Sequence, residues 1–185
     1  MEIGIVILIL IVILVYVFIQ YNSLVKSNNL VKEAFSTMDV YLKKRWDLVP
    51  NLVESVKGYA EYEKEIFSEI TKLRTNSYDA MTTNNKINMN EQLTQEISKI
   101  MAISENYPEL KANTNFADLS EELRNTENKI SFSRQFYNDS VTMYNTKLEL
   151  FPSNIVAGMF NFQKRDLFAT ESDEARKNVK VDFNK

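Results

Sequence analysis

The side chains here that could support catalysis or metal binding are carboxylates, because the chain contains no His and no Cys. Glu61, Glu65 and Glu69 recur every four residues, which would bring them to one face of a helix. Such a row could bind Mg²⁺ or Ca²⁺ through oxygen ligands and support a metal-dependent hydrolase. Lys64 and Lys72 lie nearby and favour the simpler interpretation of a solvated face. We therefore expect no catalytic residue, no metal ligand and no cofactor.

The composition excludes several other kinds of function. Disulfides, thiolate nucleophiles, imidazole bases and the usual zinc sites all require Cys or His. The 22 basic and 25 acidic residues give a net charge of −3, so there is no basic excess for binding nucleic acid. With three Gly and three Pro in 185 residues, the chain has little material for Gly-rich phosphate loops or β-sandwich turns. A helical, non-enzymatic protein is the expectation.

One charged side chain, that of Arg45, falls on an apolar row. Leu24, Val31 and Met38 form the row at seven-residue spacing, which is typical of a helix that faces other helices. Arg45 is the next member, so we expect its guanidinium group to face the bundle and to need a carboxylate. The candidate partners by residue type are Glu54, Glu127 and Asp139. The alternative, in which the side chain reaches solvent from a helix end, is left open.

Two Tyr-Asn pairs also repeat at heptad spacing. Tyr137 and Tyr144 are seven residues apart, and so are Asn138 and Asn145. Asn side chains that face a bundle can fix the register of its helices. We therefore take Asn138 and Asn145, with Arg45, as candidate structural polar residues.

An apolar segment opens the chain. Residues 3–19 contain no charge and no amide side chain, and as a helix they would extend about 25 Å. In lipid every backbone group must be paired internally, so a membrane-spanning helix is expected, retained rather than cleaved. We predict an anchor over residues 1–21 in the cell membrane. Lys26 and Lys32 follow the span while only Glu2 precedes it, which places the remainder in the cytoplasm.

Residues 22–185 are predicted to form a helical bundle. Pro50 should break or kink the first helix near Leu48 and Val49, and a second helix should run from Pro50 to Leu73. The Asn- and Thr-rich stretch 75–90 predicts a loop, and residues 88–105 predict a shorter helix that Pro108 ends.

A long helix is expected over residues 116–150. Its apolar row at heptad spacing is Phe116, Leu119, Leu123, Ile130, Tyr137, Tyr144, Leu148 and Phe151. Residues 179–183 alternate apolar and charged side chains and predict an extended C-terminal tail. The predicted fold is all-α: an antiparallel bundle of about four helices, of which the first and the last are long, preceded by one transmembrane helix.

The ordered residues resemble the LemA family of bacterial membrane proteins over positions 21–183. The most specific strings are DLVPNLVESVKGYA, YPELKAN, ENKISFSRQFYND and FPSNIVA, which lie within residues 47–60, 107–113, 127–139 and 151–157. The resemblance implies an N-terminal anchor followed by a helical bundle. It implies no agreed activity, substrate or cofactor, so no catalytic residue is carried over.

These observations favour a single-pass membrane protein whose bundle binds or scaffolds another membrane or membrane-proximal protein, with the bilayer contacted by the N-terminal helix. The alternative from a different class is a carboxylate-based, metal-dependent hydrolase or other enzyme. Converging carboxylates with raised pKa values in a pocket would favour that alternative.

Overall fold

The structure is a computed structural model that describes residues 1–58, 64–73 and 77–168. Within these residues all regular structure is helical and no strand is present, as the sequence predicts. The helices are α1 (Glu2–Lys57), α2 (Lys64–Leu73), α3 (Thr83–Ser104), α4 (Pro108–Lys111), α5 (Thr114–Glu149) and α6 (Ser153–Met159), with a 3-10 turn at Tyr78–Ala80. The predicted tail over residues 179–183 lies outside the described residues.

The described chain divides into two compact units. The first consists of Met1–Asn51 and Asp118–Leu167, and the second consists of Leu52–Ala117 and the chain from Phe168. Helix α1 runs without interruption across residue 21. The division into an anchor over residues 1–21 and a bundle over residues 22–185 therefore stays a prediction.

Helix α1 continues through Pro50, so the break predicted at Leu48 and Val49 is wrong, while the alternative, a kink, stays a prediction. The predicted second helix from Pro50 to Leu73 is also wrong, because α1 ends at Lys57 and α2 begins at Lys64. A proline inside a helix removes one backbone hydrogen bond and costs about 3 kcal/mol. Val49 and Leu52 on either side are fully buried, and this burial offsets the cost.

In the first unit, α1 and α5 run antiparallel. Near the membrane end, Lys147 of α5 donates to the hydroxyl groups of Ser23 and Ser27 on α1, at 3.1 and 2.6 Å. Farther along, Arg45 of α1 meets Glu127 of α5. Residue numbers therefore rise along one helix as they fall along the other.

The core of this unit follows the heptad rows seen in the sequence. Leu24, Val31 and Met38 of α1 are buried. The buried members of the predicted α5 row in this unit are Leu123, Ile130, Tyr137 and Tyr144, and the small side chains of Thr126, Ser133 and Ser140 are buried beside them. Small residues let two helix backbones approach closely. Phe151 is an exception, since α5 ends at Glu149 and the Phe151 side chain is exposed.

In the second unit, α3 packs against both α2 and α4. The Thr82 hydroxyl accepts a hydrogen bond from the Asn85 backbone N–H, at 3.3 Å, and caps α3. Helix α3 therefore starts at Thr83, inside the stretch predicted as a loop, because this cap and the burial of Ile87 outweigh the local Asn and Thr content. The helix ends before Pro108, as predicted.

The N-terminal part of α1 is long and apolar enough to cross a membrane. Its most apolar 18-residue window has a mean hydropathy of 3.2, and none of that window is buried within the protein. Apolar side chains exposed all round a helix indicate a lipid environment. The fold thus combines a membrane helix with a helical bundle.

Candidate functional site

Arg45 lies in the core of the first unit. Its side chain is 4% exposed, and Nη1 is 2.6 Å from Oε2 of Glu127, whose side chain is 40% exposed. Of the three carboxylates considered from the sequence, Glu127 is the one that the fold brings to Arg45, while Glu54 and Asp139 are exposed. The pair therefore joins a buried cation to an anion that still touches water.

Burial and charge act in opposite directions on this arginine. Removal from water lowers the pKa of Arg45, and the negative charge of Glu127 partly restores it. An arginine remains charged at neutral pH, so the pair is a permanent structural contact.

The neighbouring lysines are also paired with carboxylates. Lys43 Nζ lies 2.7 Å from Oδ1 of Asp47, one turn along α1. Lys44 forms an ion pair with Glu122 of α5, and this contact lowers the pKa of the Glu122 carboxyl. The basic cluster at residues 43–45 is therefore matched by acidic side chains, so it joins helices rather than offering a free basic patch.

A segment without regular structure, residues 162–167, follows α6 and lies along α5; we call it the strap. Asn161 precedes the strap in a left-handed conformation with φ of 55°, which an Asn side chain tolerates. Tyr137 donates its hydroxyl proton to the Asp166 backbone carbonyl and Tyr144 to that of Gln163, each at 3.0 Å. Both tyrosine rings are buried.

Asn145 binds the backbone of the strap. Its Nδ2 donates to the Arg165 carbonyl at 2.8 Å, and its Oδ1 accepts from the Arg165 N–H at 3.0 Å. The Arg165 side chain in turn donates to Oδ1 of Asn28 on α1, at 3.1 and 3.3 Å. Asn145 and Asn138 are half-buried, and their role in fixing the register of the helices stays a prediction. Asn145 links the strap to α5.

An apolar groove lies between α1 and α5 in the first unit. It has a volume of about 340 Å³ and is lined by Thr37, Tyr41, Asn128, Lys129, Phe132, Ser133 and Phe136. Phe132 is 78% exposed and Phe136 is 47% exposed. The Lys129 ammonium group lies 5.6 Å from the centre of the Tyr41 ring and places a positive charge at the groove.

Phe132 and Phe136 are the residues that sequence reasoning missed. They are four residues apart and fall outside the buried row that contains Ile130 and Tyr137. That spacing was a usable signal, because two phenylalanines on the solvent side of an otherwise polar helix need an explanation. The exposed Val40 and Met143 extend the apolar character of these two helices.

No acidic metal site is found in the part of the chain that the structure describes. Among those residues there is no group of three or more side chains suited to holding a metal ion. Glu61 and the side chains of Glu65 and Glu69 lie outside the described part. A second pocket, of about 260 Å³ in the second unit, is lined mainly by amide and aliphatic side chains, among them Asn85, Asn88, Gln92, Met81 and Met89.

The chain is similar to one known protein family and to several individual proteins. The profile of the LemA family matches residues 34–183. Protein LemA of Metamycoplasma hominis is 27% identical over 165 residues, which cover 88% of this chain and 73% of that protein. Magnetosome protein MamQ 2 of Paramagnetospirillum magneticum and magnetosome protein MamQ of Magnetospirillum gryphiswaldense are each 22% identical over 175 residues. Those matches cover 80% of this chain and 64%, less than two thirds, of each MamQ protein.

Proposed function

We propose that this chain, which belongs to the LemA family, is a non-enzymatic module that is anchored in the cell membrane and binds another protein through the groove between α1 and α5. The observation that carries the proposal is the exposure of Phe132 and Phe136 along that groove. Contiguous exposed aromatic side chains are costly in water and mark interaction surfaces. The absence of His and Cys leaves carboxylate chemistry as the route open to the alternative enzyme.

The distance of the groove from the membrane favours a protein over lipid. Thr37 and Tyr41 line the groove 18 to 22 residues beyond Ile19, the last residue of the apolar segment. At 1.5 Å per residue, the groove lies about 27–33 Å along α1 from the end of the span. Lipid tails do not extend so far, so the occupant is a membrane-proximal protein.

An amphipathic helix of the partner suits this surface. Phe132 and Phe136 lie one helical turn apart, which matches apolar side chains at positions i and i+4 of a second helix. Lys129 adds a positive charge beside them. We therefore propose a partner helix with an apolar face and an acidic residue next to it.

We further propose that the bundle faces the cytoplasm. Lys26 and Lys32 follow the span closely, while Glu2 is the charged side chain before it. The chain has no Cys, so a single Ser98→Cys substitution on exposed α3 gives a clean reporter. In intact cells, a membrane-impermeant maleimide should label this site only after permeabilisation. Labelling without permeabilisation would place the bundle outside.

The binding role is tested by photo-crosslinking in the native membrane. The full chain carries a benzophenone amino acid in place of Phe132, and the adducts are separated by mass. A discrete adduct is expected, and Phe136→Lys in the same chain should reduce it about tenfold by placing a charge in the apolar contact. A purified peptide copy of the crosslinked partner helix should compete for the adduct.

Ser131 is the matched control position. It is exposed, adjacent to Phe132 in sequence and about 100° away around the helix. A crosslinker at Ser131 should give no discrete adduct. The same adducts from both positions, or an adduct that survives Phe136→Lys, would contradict the groove as the binding surface. Melting of each variant should be unchanged, because the substituted side chains are exposed.

A further inference from the structure

We propose that the turn between α5 and α6, with the outer face of α6, is a second membrane contact that enters the interfacial layer beside the N-terminal span. The contact consists of five exposed apolar side chains, Leu150, Phe151, Ile155, Met159 and Phe160. We call this set the apolar cap. It is separate from the groove proposed above as a protein-binding surface.

The composition of this stretch is unusual for a water-exposed surface. Residues 150–162 contain no charged side chain, and the nearest charges are at Glu149 and Lys164. Phe151 is 78% exposed and Met159 is 67% exposed. Single exposed apolar residues are common, but five within eleven residues of an uncharged stretch mark a surface that contacts an apolar partner.

The inner face of α6 fixes the apolar cap to the end of the span. Val156 and Ala157 are buried against Leu24 of α1, and Val17 packs against the same cluster. The Tyr21 ring contacts that of Phe160, with the ring centres 4.7 Å apart. Helix α6 is therefore attached to α1 where the apolar segment ends.

This attachment sets the depth of the apolar cap. Val17 belongs to the uninterrupted apolar segment 3–19, which places it in or at the edge of the hydrocarbon layer. The cluster that Val17 joins extends along α1 to Leu24, seven residues or about 10 Å farther, so α6 lies within about 10 Å of that layer. Ile155 and Met159 are one turn apart on the exposed face of α6, so they can reach the acyl chains while Tyr21 lies among the headgroups.

The length of the span gives the apolar cap a physical role. Residues 3–19 cover about 25 Å as a helix, against a hydrocarbon thickness of about 30 Å. Additional apolar surface at one end offsets this mismatch without a longer span. The continuity of the patch with the membrane segment is what favours lipid over a protein as its partner.

The test uses the full chain in vesicles of phosphatidylcholine and phosphatidylglycerol. Because the protein has no Cys, Phe151→Cys and Ile155→Cys each provide one site for the polarity-sensitive fluorophore NBD. Doxyl-labelled phosphatidylcholine quenches only fluorophores that touch lipid. Quenching at both sites should be at least about twofold, with blue-shifted emission.

Phe132→Cys is the matched control, because Phe132 and Phe151 are equally exposed at 78%. NBD at residue 132 should not be quenched by the lipid. In the Ile155→Cys protein, adding Phe151→Glu should weaken quenching, since a carboxylate resists entering the interface.

Two results would overturn the inference. Equal, weak quenching at residues 132, 151 and 155 would mean that the apolar cap stays in water. Blue-shifted emission at residue 155 without lipid quenching would mean that a protein, such as a second copy of the chain, covers it. The crosslink at residue 132 tests the groove and the lipid quenching tests the apolar cap, so failure of one proposal does not contradict the other.

Discussion

Tyr137 and Tyr144 lie seven residues apart on α5, yet their hydroxyl groups bind carbonyls only three residues apart on the strap. Seven helical residues cover about 10.5 Å, so each strap residue must advance about 3.5 Å, which is the limit for an extended chain. The strap also runs opposite to α5, because Tyr137 meets Asp166 and Tyr144 meets Gln163. One heptad of helix thus sets the conformation of a non-helical segment.

Replacing either tyrosine by phenylalanine should loosen the strap while leaving the buried ring in place. Tyr137→Phe and Tyr144→Phe should each lower the free energy of unfolding by about 1 kcal/mol, the usual net value of one hydrogen bond. Urea denaturation measures the change. Tyr107→Phe, at a half-buried ring in the second unit, serves as the control and should change it by less than about 0.5 kcal/mol. Equal effects at all three sites would contradict a specific role of the strap.

Stability should fall at alkaline pH through the same two residues. Burial raises the pKa of Tyr137 and of Tyr144, and the positive charge of Arg165 opposes part of each rise. The folded protein therefore holds these protons to higher pH than the unfolded chain does. Their contribution is complete below the ordinary tyrosine pKa of about 10 and is lost as pH rises through the raised values. Between pH 9 and 11, urea midpoints of the double Phe variant should decline less steeply than those of the unmodified protein.

The Arg45–Glu127 pair should respond unequally to loss of its two members. Glu127→Gln removes the negative charge that lies 2.6 Å from a buried guanidinium and should cost about 2 kcal/mol in unfolding free energy. Arg45→Met leaves the Glu127 side chain, which is 40% exposed, partly in water, although the Oε2 atom that faces Arg45 is buried. We expect this variant to cost less than Glu127→Gln, about 1 kcal/mol in unfolding free energy.

The double variant supplies the decisive measurement for this pair. Arg45→Met with Glu127→Gln should be more stable than Glu127→Gln alone, because the buried cation no longer faces a neutral side chain. Glu121→Gln, on the exposed surface of the same helix, controls for a general effect of neutralising a carboxylate. An equal loss of unfolding free energy in the two single variants would indicate that Glu127 is desolvated as fully as Arg45.

Removing residues 1–21 should weaken the packing of α6 more than the packing of α1 against α5. Val17 and Tyr21 pack against α6 and Phe160, whereas the hydrogen bonds from Lys147 of α5 reach Ser23 and Ser27, which the truncated chain retains. The chain from residue 22 should still melt cooperatively and be insensitive to EDTA and reductant. Its α6 amides should exchange with deuterium faster than those of a chain that begins at Val15. Identical exchange in the two truncations would mean that α6 does not depend on the span.

Local pattern was sufficient to predict much of the first unit. The heptad rows identified α5 to within two residues of its ends and gave the buried faces of α1 and α5. The same rows indicated that the Arg45 side chain faces the bundle, and residue type reduced its partners to three carboxylates. Both inferences rely on helical periodicity, which is independent of distant parts of the chain.

The structural features that could not be predicted from the sequence depend on contacts between residues far apart in the chain. Pro50 disfavours a helix locally, yet the burial of Val49 and Leu52 stabilises the continuation of α1 beyond it. The hydrogen-bond partner of Asn145, Arg165, lies 20 positions away in a segment with no periodic signal, so the sequence contains no indication of this contact. Phe151 continued the α5 row in sequence, but the helix had ended at Glu149. In each case tertiary packing decided the outcome.

Because α1 is one continuous helix, the membrane anchor and the α1 side of the groove belong to the same rigid element. No hinge separates Ile19 from Tyr41, so any change in the tilt of the span moves Tyr41 rigidly with it. Over the roughly 33 Å between these residues, a tilt change of about 10° displaces the groove sideways by about 6 Å. Tilt is set by the packing of a span against its neighbours and by its interfacial anchors. A change in those contacts would therefore shift the groove relative to the membrane surface.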